Sequence, residues 1–471
     1  MFDATQAAGT TIADMRAMHA AMRARFDLSD VPSIHARRAS LDRLTAGIRA
    51  HRQDIRDALS SDFGHRAEME ALTADIGATL DFIAHARRRL PRWAAPKRRL
   101  VMRPLPGWAT RLREPKGLVG ILSPWNYPIY LCLVPLATAV ATGNRAILKP
   151  SERAPASAAI IARIVTDALP GDAYAVVTGD VDLAQAMAVL PWEHLFYTGS
   201  EAIGRRIAAQ AATTMTPLTL ELGGKSPAIA MPDARPDDHA PMVAWGKFYA
   251  AGQTCVAPDY LLVPKGRAAE WADAILDTAR AFVAGEGAPD YTGLIDGRHR
   301  ERIAGLVRDA AARGATVRAL DPIDGRDDAH PPAVVLCPPP DAEIMTQEVF
   351  GPVLSILEYD DLDHARRIVA ANPNPLAAYA FGADAGRARR FVTSIRSGNA
   401  AVNVPMVHVT LHDVPFGGIG SSGMGAYHGE RGFVEFSHER SLFQPLHRSV
   451  LSFLPPPYDD RARAMVRWLS R

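Results

Sequence analysis

The chain has 471 residues, 48% of them apolar and 22% charged, which suits two or three globular domains and excludes a disordered chain. Its formal net charge is +2, with acids and bases interleaved, so neither a nucleic-acid partner nor a membrane surface is expected. Three cysteines are too few and too odd a number for a disulfide framework. With no apolar signal region at the start, and a longest apolar run (129–143) too short to span a bilayer, they predict a soluble cytoplasmic protein.

In chain order, residues 35–63 carry Leu41, Leu44, Ile48, Ile55 and Leu59 at helical spacing, and a further polar helical stretch runs to about 90. RRLVMRPLPGWATRLREPKG then reads as two short strands around a Pro-Gly turn, a hairpin. From 117 the rhythm becomes strand and helix in alternation: GLVGIL, a helix near 128–141, RAILKPS, APASAAIIARIVTDAL, AYAVVTG, DLAQAMAVL, HLFYTGS, EAIGRRIAAQAA and PLTLELGG. A second series follows. A helix ends in KFYAAGQTC, and DYLLVP, AAEWADAILDTARAFV, VLSILEY, HARRIVAA, LAAYAFG, AGRARRFVTSIRSG and NAAVNV continue the alternation. The proline-dense DAHPPAVVLCPPPD reads as a surface connection. Alternating short strands and helices predict an α/β fold with a doubly wound parallel sheet and a second α/β unit. Ligands of such sheets lie beyond the carboxyl ends of the strands, where SPWN, KPSE, TGS and ELGG fall.

The glycine-rich stretches invite nucleotide readings that their contexts refuse. GIGSSG at 418–423 fits G-x-G-x-x-G but follows VPFG and opens no helix; GSEAIGRRI at 199–207 has Arg205 where a P-loop needs lysine. No His, Cys or Glu cluster has metal-ligand spacing, so no metal is expected. Cys132 and Cys337 sit in apolar runs and read as packing residues. Cys255 lies among small and polar residues in AAGQTCVAP, and spacing alone leaves it open between a structural thiol and a nucleophile. The bases are almost all arginine, and six lysines (97, 116, 149, 225, 247 and 265) stand out as compact ammonium groups.

GQTC at 252–255 with LELGGKSP at 220–227, and the 34-residue spacing from Glu221 to Cys255, resembles the signature pair of the aldehyde dehydrogenase superfamily. PWNYP, GNRAILKPSE, FYTGS, QEVFGPV and PFGGIGSSGMG follow in that family's order, so the likeness runs from about 100 to 440. The ending MGAYHGERGFVEFSH is most similar to the class-3-like branch and, within it, to the group of coniferyl aldehyde dehydrogenases.

The resemblance implies oxidation of an aldehyde to its acid with NAD or NADP. Cys255 is then the nucleophile, Asn126 an oxyanion donor and Glu221 the base for water. Lys149 and Glu152 hold the adenosine ribose; Gly199, Ser200 and Gly204 open a helix at the pyrophosphate; Trp125 lines the cleft; Glu348 and Phe350 hold the nicotinamide ribose and ring. Lys225 receives no chemical role and is expected to make a structural contact. The implied organisation is a cofactor domain (1–98 and 115–223), a catalytic domain (224–425), a β-hairpin oligomerisation arm (99–114 with 426–450), a tail (451–471), and a homodimer. Tyr127, Tyr130 and Leu131 point to a hydrophobic tunnel for aromatic or medium-chain aldehydes. Three alternatives carry weight. A CoA-acylating or reductive relative has no need of the hydrolytic base Glu221; a cysteine hydrolase lacks a partnered histidine; a catalytically silent binding or structural protein fits poorly with intact Cys255, Glu221 and Asn126.

Overall fold

The computed structural model describes residues 9–102, 105–447 and 455–470. Helices come first: Ile12–Ala24, Ile34–Ala50, Arg52–Phe63 and Ala78–Ala94. The expected helix over 35–63 is broken at His51, and a π-helical turn, Ala71–Gly77, precedes the last of them. The helix Ile12–Ala24 was not foreseen.

The hairpin is present as β1 (Lys97–Val101) and β2 (Gly107–Pro115). The alternating series then builds β3 (Leu118–Leu122), β4 (Arg145–Lys149), β5 (Tyr174–Val176), β6 (His194–Thr198) and β7 (Leu218–Glu221). These five are parallel in the spatial order β7-β6-β3-β4-β5. The chain leaves β3 toward β4 in one direction and returns on its other side at β6. The crevice beyond the carboxyl ends of β3 and β6 is therefore the topological switch point. All residues of β3, β6 and the helix Pro128–Thr142 are buried, which is why they read as continuous apolar runs. One apolar core runs through this sheet and the next; a smaller one, with Leu118, Leu122, Ile147, Leu195 and Leu220, lies on the other face.

The second sheet contains β8 (Pro227–Ala230), β9 (Tyr260–Pro264), β10 (Thr316–Ala319), β11 (Ala333–Leu336), β12 (Val353–Tyr359), β13 (Ala377–Phe381) and β14 (Asn399–Val402). Its order is β10-β11-β12-β9-β8-β13-β14, parallel except for β10. Two expectations need correction here. The proline-dense stretch is not a surface connection, because AVVL forms β11 inside the sheet with its first three residues buried. Cys337 is not a packing residue; it is exposed, at φ 50, where the chain turns away after β11. The strand β8, only four residues long and opening on a proline, was missed although it lies between β9 and β13.

Finally β15 (Gly423–Met424) pairs antiparallel with β7, and β16 (Ser437–Pro445) pairs antiparallel with β2, completing a three-stranded arm. Among the described residues no helix is long and apolar enough to cross a membrane.

Candidate active site

Cys255 follows a helix, Pro236–Phe248, and a short turn in which Ala250 and Ala251 both adopt left-handed backbone (φ 50). Such conformations cost alanine about 1–2 kcal/mol each, so outside contacts must hold them. The Ala250 amide donates to Glu70 Oε1 at 2.8 Å, and Thr292 Oγ1 donates to Glu70 Oε2 at 2.5 Å. Gly252 (φ 71) closes the turn, and a Cβ there would stand 2.3 Å from the Gly351 carbonyl oxygen. Gln253, fully buried, donates to the carbonyls of Ala250 and Gly293 and accepts from Ile295. Burial first, then the charges of Glu348 and Glu221, push the Cys255 thiol up to about 12.

Asn126 is buried in the loop after β3, and its Nδ2 donates to the Gln253 carbonyl oxygen at 3.0 Å. A side-chain amide has two N–H donors, so the second remains for another acceptor. Arg66 Nη1 donates to the Asn126 carbonyl at 3.3 Å and pairs with Asp75 at 3.1 Å; both side chains are fully buried. Next to Asn126, the Tyr127 hydroxyl lies 2.5 Å from Thr254 Oγ1. The Cys255 loop and the Asn126 loop are thus tied together by hydrogen bonds, with Arg66 and Glu70 behind them. Neither residue was singled out in the sequence. An Arg and a Glu four apart in a polar helical stretch look like a solvated pair, and nothing local announces their burial.

Glu221 ends β7. It is 3% exposed, and neither of its carboxylate oxygens has a hydrogen-bond partner among the described residues. Burial, and secondly the Glu435 charge, raise it well above the usual carboxylate range. Glu348 packs on the turn after β7: a Cβ at Gly223 would lie 2.1 Å from its Oε2. Burial and the neighbouring Asp259 push it up to about 8, against the opposing pull of the Gly224 amide, Lys225 and Lys247.

Lys225 makes the structural contact expected of it. Its ammonium pairs with buried Asp259 and donates to the carbonyls of Ile344 (2.8 Å) and Gln347 (3.0 Å), while Asp259 Oδ1 accepts from the Val349 amide at 3.0 Å. Arg302 donates to the carbonyls of Glu348 and Val349. The segment carrying Glu348 and Phe350 is clamped from both sides. Lysines 149, 225 and 247 are each at most 5% exposed.

The expected cofactor residues fall into two groups. At the ends of β4 and β6, buried Lys149 donates to Glu152 Oε2 at 2.5 Å, and the partly exposed Glu152 carboxylate faces outward. The Gly199 amide donates to the Glu221 carbonyl, which ties β6 to β7. Ser200 is the N-cap of the helix Glu201–Thr214, and its side chain makes no cap bond to the first amides of that helix among the described residues. Gly204 lets the helix approach Leu222. In the second group Trp125 meets Phe350 edge-on at 5.4 Å, with the Arg153 guanidinium 4.7 Å over the Trp125 ring. A carboxylate–ammonium pair suited to a ribose diol, first-turn helix amides suited to a pyrophosphate and an aromatic pair beside Glu348 fit a nicotinamide dinucleotide.

Comparison with known proteins agrees. Residues 4–442 match the aldehyde dehydrogenase family. A coniferyl aldehyde dehydrogenase of a Pseudomonas species is 36% identical over 447 residues, 92% of this chain and 92% of that protein. The solved structure of Staphylococcus aureus AldH in a substrate-bound state superposes with a TM-score of 0.90 at 32% identity, covering 97% of this chain and 99% of that one. A Mycobacterium tuberculosis aldehyde dehydrogenase solved with NAD+ superposes at 0.85 and 27% identity, covering 93% and 91%. This chain therefore belongs to the aldehyde dehydrogenase family, the NAD(P)-dependent oxidoreductases of aldehydes.

Proposed function

We propose that the chain oxidises aromatic or medium-chain aldehydes to carboxylic acids through a thioester on Cys255. The observation that carries this reading is the convergence of Cys255, Asn126, Glu221 and Glu348, from four separate segments, between the two sheets. Cys255 loses its proton to solvent, and the thiolate sulfur bonds to the carbonyl carbon as the C=O π pair moves onto oxygen. The free N–H of Asn126 and the Cys255 amide stabilise the oxyanion, each such donor being worth about 3–4 kcal/mol of barrier. When bound, the dinucleotide supplies a two-electron acceptor for the hydrogen on that carbon. Lys149 and Glu152, the amides after Ser200, and Glu348 with Trp125 and Phe350 would hold it. Glu221 then takes a proton from water as a C–O bond forms, the C–S bond breaks, and the acid leaves. Its unpartnered oxygens favour water activation over transfer to an external thiol, and so favour this reading over a CoA-acylating relative.

Buried Tyr130, Tyr379 and Tyr427 all lie within electrostatic reach of Cys255, which suits an aromatic substrate; the Pseudomonas relative is named for coniferyl aldehyde. Either NAD or NADP fits, with the Glu152 carboxylate favouring the unphosphorylated ribose, so Glu152→Gln should raise the relative use of NADP. A homodimer through the arm, where Leu100, Leu442 and Phe443 are exposed, and a reducing cytoplasmic setting for the thiols complete the proposal. The test is NADH formation with coniferaldehyde, hexanal and succinic semialdehyde by wild type and Cys255→Ala. The variant should be inactive and succinic semialdehyde the poorest substrate; activity surviving in the variant would remove the mechanism.

A further inference from the structure

Each turnover of such an enzyme releases protons, because aldehyde, water and an oxidised dinucleotide give a carboxylate and a reduced dinucleotide. The carboxylate that collects a proton from water must lose it before the next cycle. Glu221 is poorly placed to do so directly. It is buried with both oxygens unpartnered, and Thr198, directly across from it on β6, has an equally buried and unpartnered hydroxyl. Thr219 shares the face of β7 with Glu221, two residues and about 7 Å along the strand.

Against Thr219 stands Glu435, at the end of the helix Gly429–Glu435, with Oε1 3.4 Å from Thr219 Oγ1. Space for it is made by Gly425, just past β15, whose missing Cβ would lie 3.1 Å from both of those oxygens. Outward, Glu435 Oε2 pairs with Arg431 at 2.9 Å, and the Arg431 side chain is 49% exposed. Thr219 Oγ1 also meets His194 Nε2 at 2.9 Å, and His194 Nδ1 meets Lys116 Nζ at 3.0 Å. Beyond the gap of about 7 Å along β7 between Glu221 and Thr219, polar groups therefore lead through Glu435 to the half-exposed Arg431.

We propose that Glu435 is a positioning residue acting through Glu221: it accepts the proton that Glu221 has taken from water and releases it to solvent beside Arg431. The groups facing Glu435 are Arg431 on its own helix, Lys116 before β3, His194 on β6, and Thr219 with Glu221 on β7. Those facing Glu221 are Glu435, Tyr427 and Cys255. One water bridging the gap carries the proton, and no other bond changes. Burial is the larger cause of the raised titration of Glu221, and the Glu435 charge adds to it.

The inference rests on Glu221 being the hydrolytic base, and the experiment separates the two. Glu435→Gln keeps hydrogen-bonding partners for Thr219 and Arg431. With enzyme in excess, single-turnover NADH formation should be unchanged, since it ends at the thioester. Steady-state kcat should fall about tenfold or more, its acid limb should move to lower pH because the like charge is gone, and imidazole buffer should restore part of the rate. An unaltered kcat and pH profile, or equal loss of the single-turnover step, would overturn the proposal. Glu221→Gln, run alongside, should stop multiple turnover. If turnover survives there, the base itself is misassigned and both readings fall; if it stops while Glu435→Gln behaves as wild type, only the role of Glu435 falls.

Discussion

At Cys255 the decisive quantity is the protonation of one thiol. Burial, Glu348 and Glu221 all favour the neutral form, with the group pushed up to about 12. The nucleophile is the thiolate, so in the cofactor-free enzyme alkylation by iodoacetamide should rise about tenfold per pH unit through pH 9 without levelling; a plateau near pH 7 would contradict this. Two neighbours make equally sharp predictions. Gly252→Ala puts a methyl into the Gly351 carbonyl at a backbone angle alanine resists, and should cost at least about a hundredfold in kcat/KM. Lys225→Met leaves Asp259 without its closest cationic partner, Lys247 being 4.0 Å away, and should lower stability by about 3–5 kcal/mol in thermal or urea unfolding. Lys225 stands four residues from Glu221 in a signature motif, yet its contacts are with Asp259 and a loop more than a hundred residues later, which is why the sequence could not name the partners of the structural contact it suggested.

Elements were legible where a period or a length announced them. The helix Pro128–Thr142, the strands β3, β4 and β6, and the helix Ala268–Phe282 all follow their patterns. Strand β11 was hidden because prolines flank it, and β8 because four residues carry no period. The most consequential miss is the turn Tyr249–Gly252, where the end of the helix was expected to run on to Gly252. Of the two left-handed alanines there, Ala250 donates its amide to the Glu70 carboxylate, which is held in turn beside Arg66. Glu70→Ala should release that amide. Loss of a buried hydrogen bond to a charged group is worth about 1.5–3 kcal/mol. We therefore expect kcat/KM to drop at least tenfold, and amide exchange across 250–255 to quicken in hydrogen–deuterium exchange. Unchanged exchange would mean that the turn is held otherwise.

For the whole molecule, the candidate site exists only because two sheets meet. Asn126 and Glu221 come from the first, Cys255 and Glu348 from the second, and the aromatic pair of Trp125 and Phe350 bridges them. The arm projects β16 with Leu442 and Phe443 exposed, an apolar edge that an isolated chain would leave in water. Replacing Phe443 with Asp should convert a dimer to monomers in light scattering while leaving the fold intact; a wild type that is already monomeric would dispose of the dimer.

By itself the sequence determined the alternation of strands and helices, the doubly wound sheet and, through motifs such as GQTC and LELGGKSP, the family. Those are short-range properties, written in periodicity and in contiguous strings. Only the tertiary structure decided which charges are buried, which carboxylate accepts from the Ala250 amide, and that Glu435 stands behind Glu221. Burial and long-range pairing depend on how elements far apart in the chain pack. An arginine, a glutamate or a lysine looks the same in a string whether water or a protein interior surrounds it.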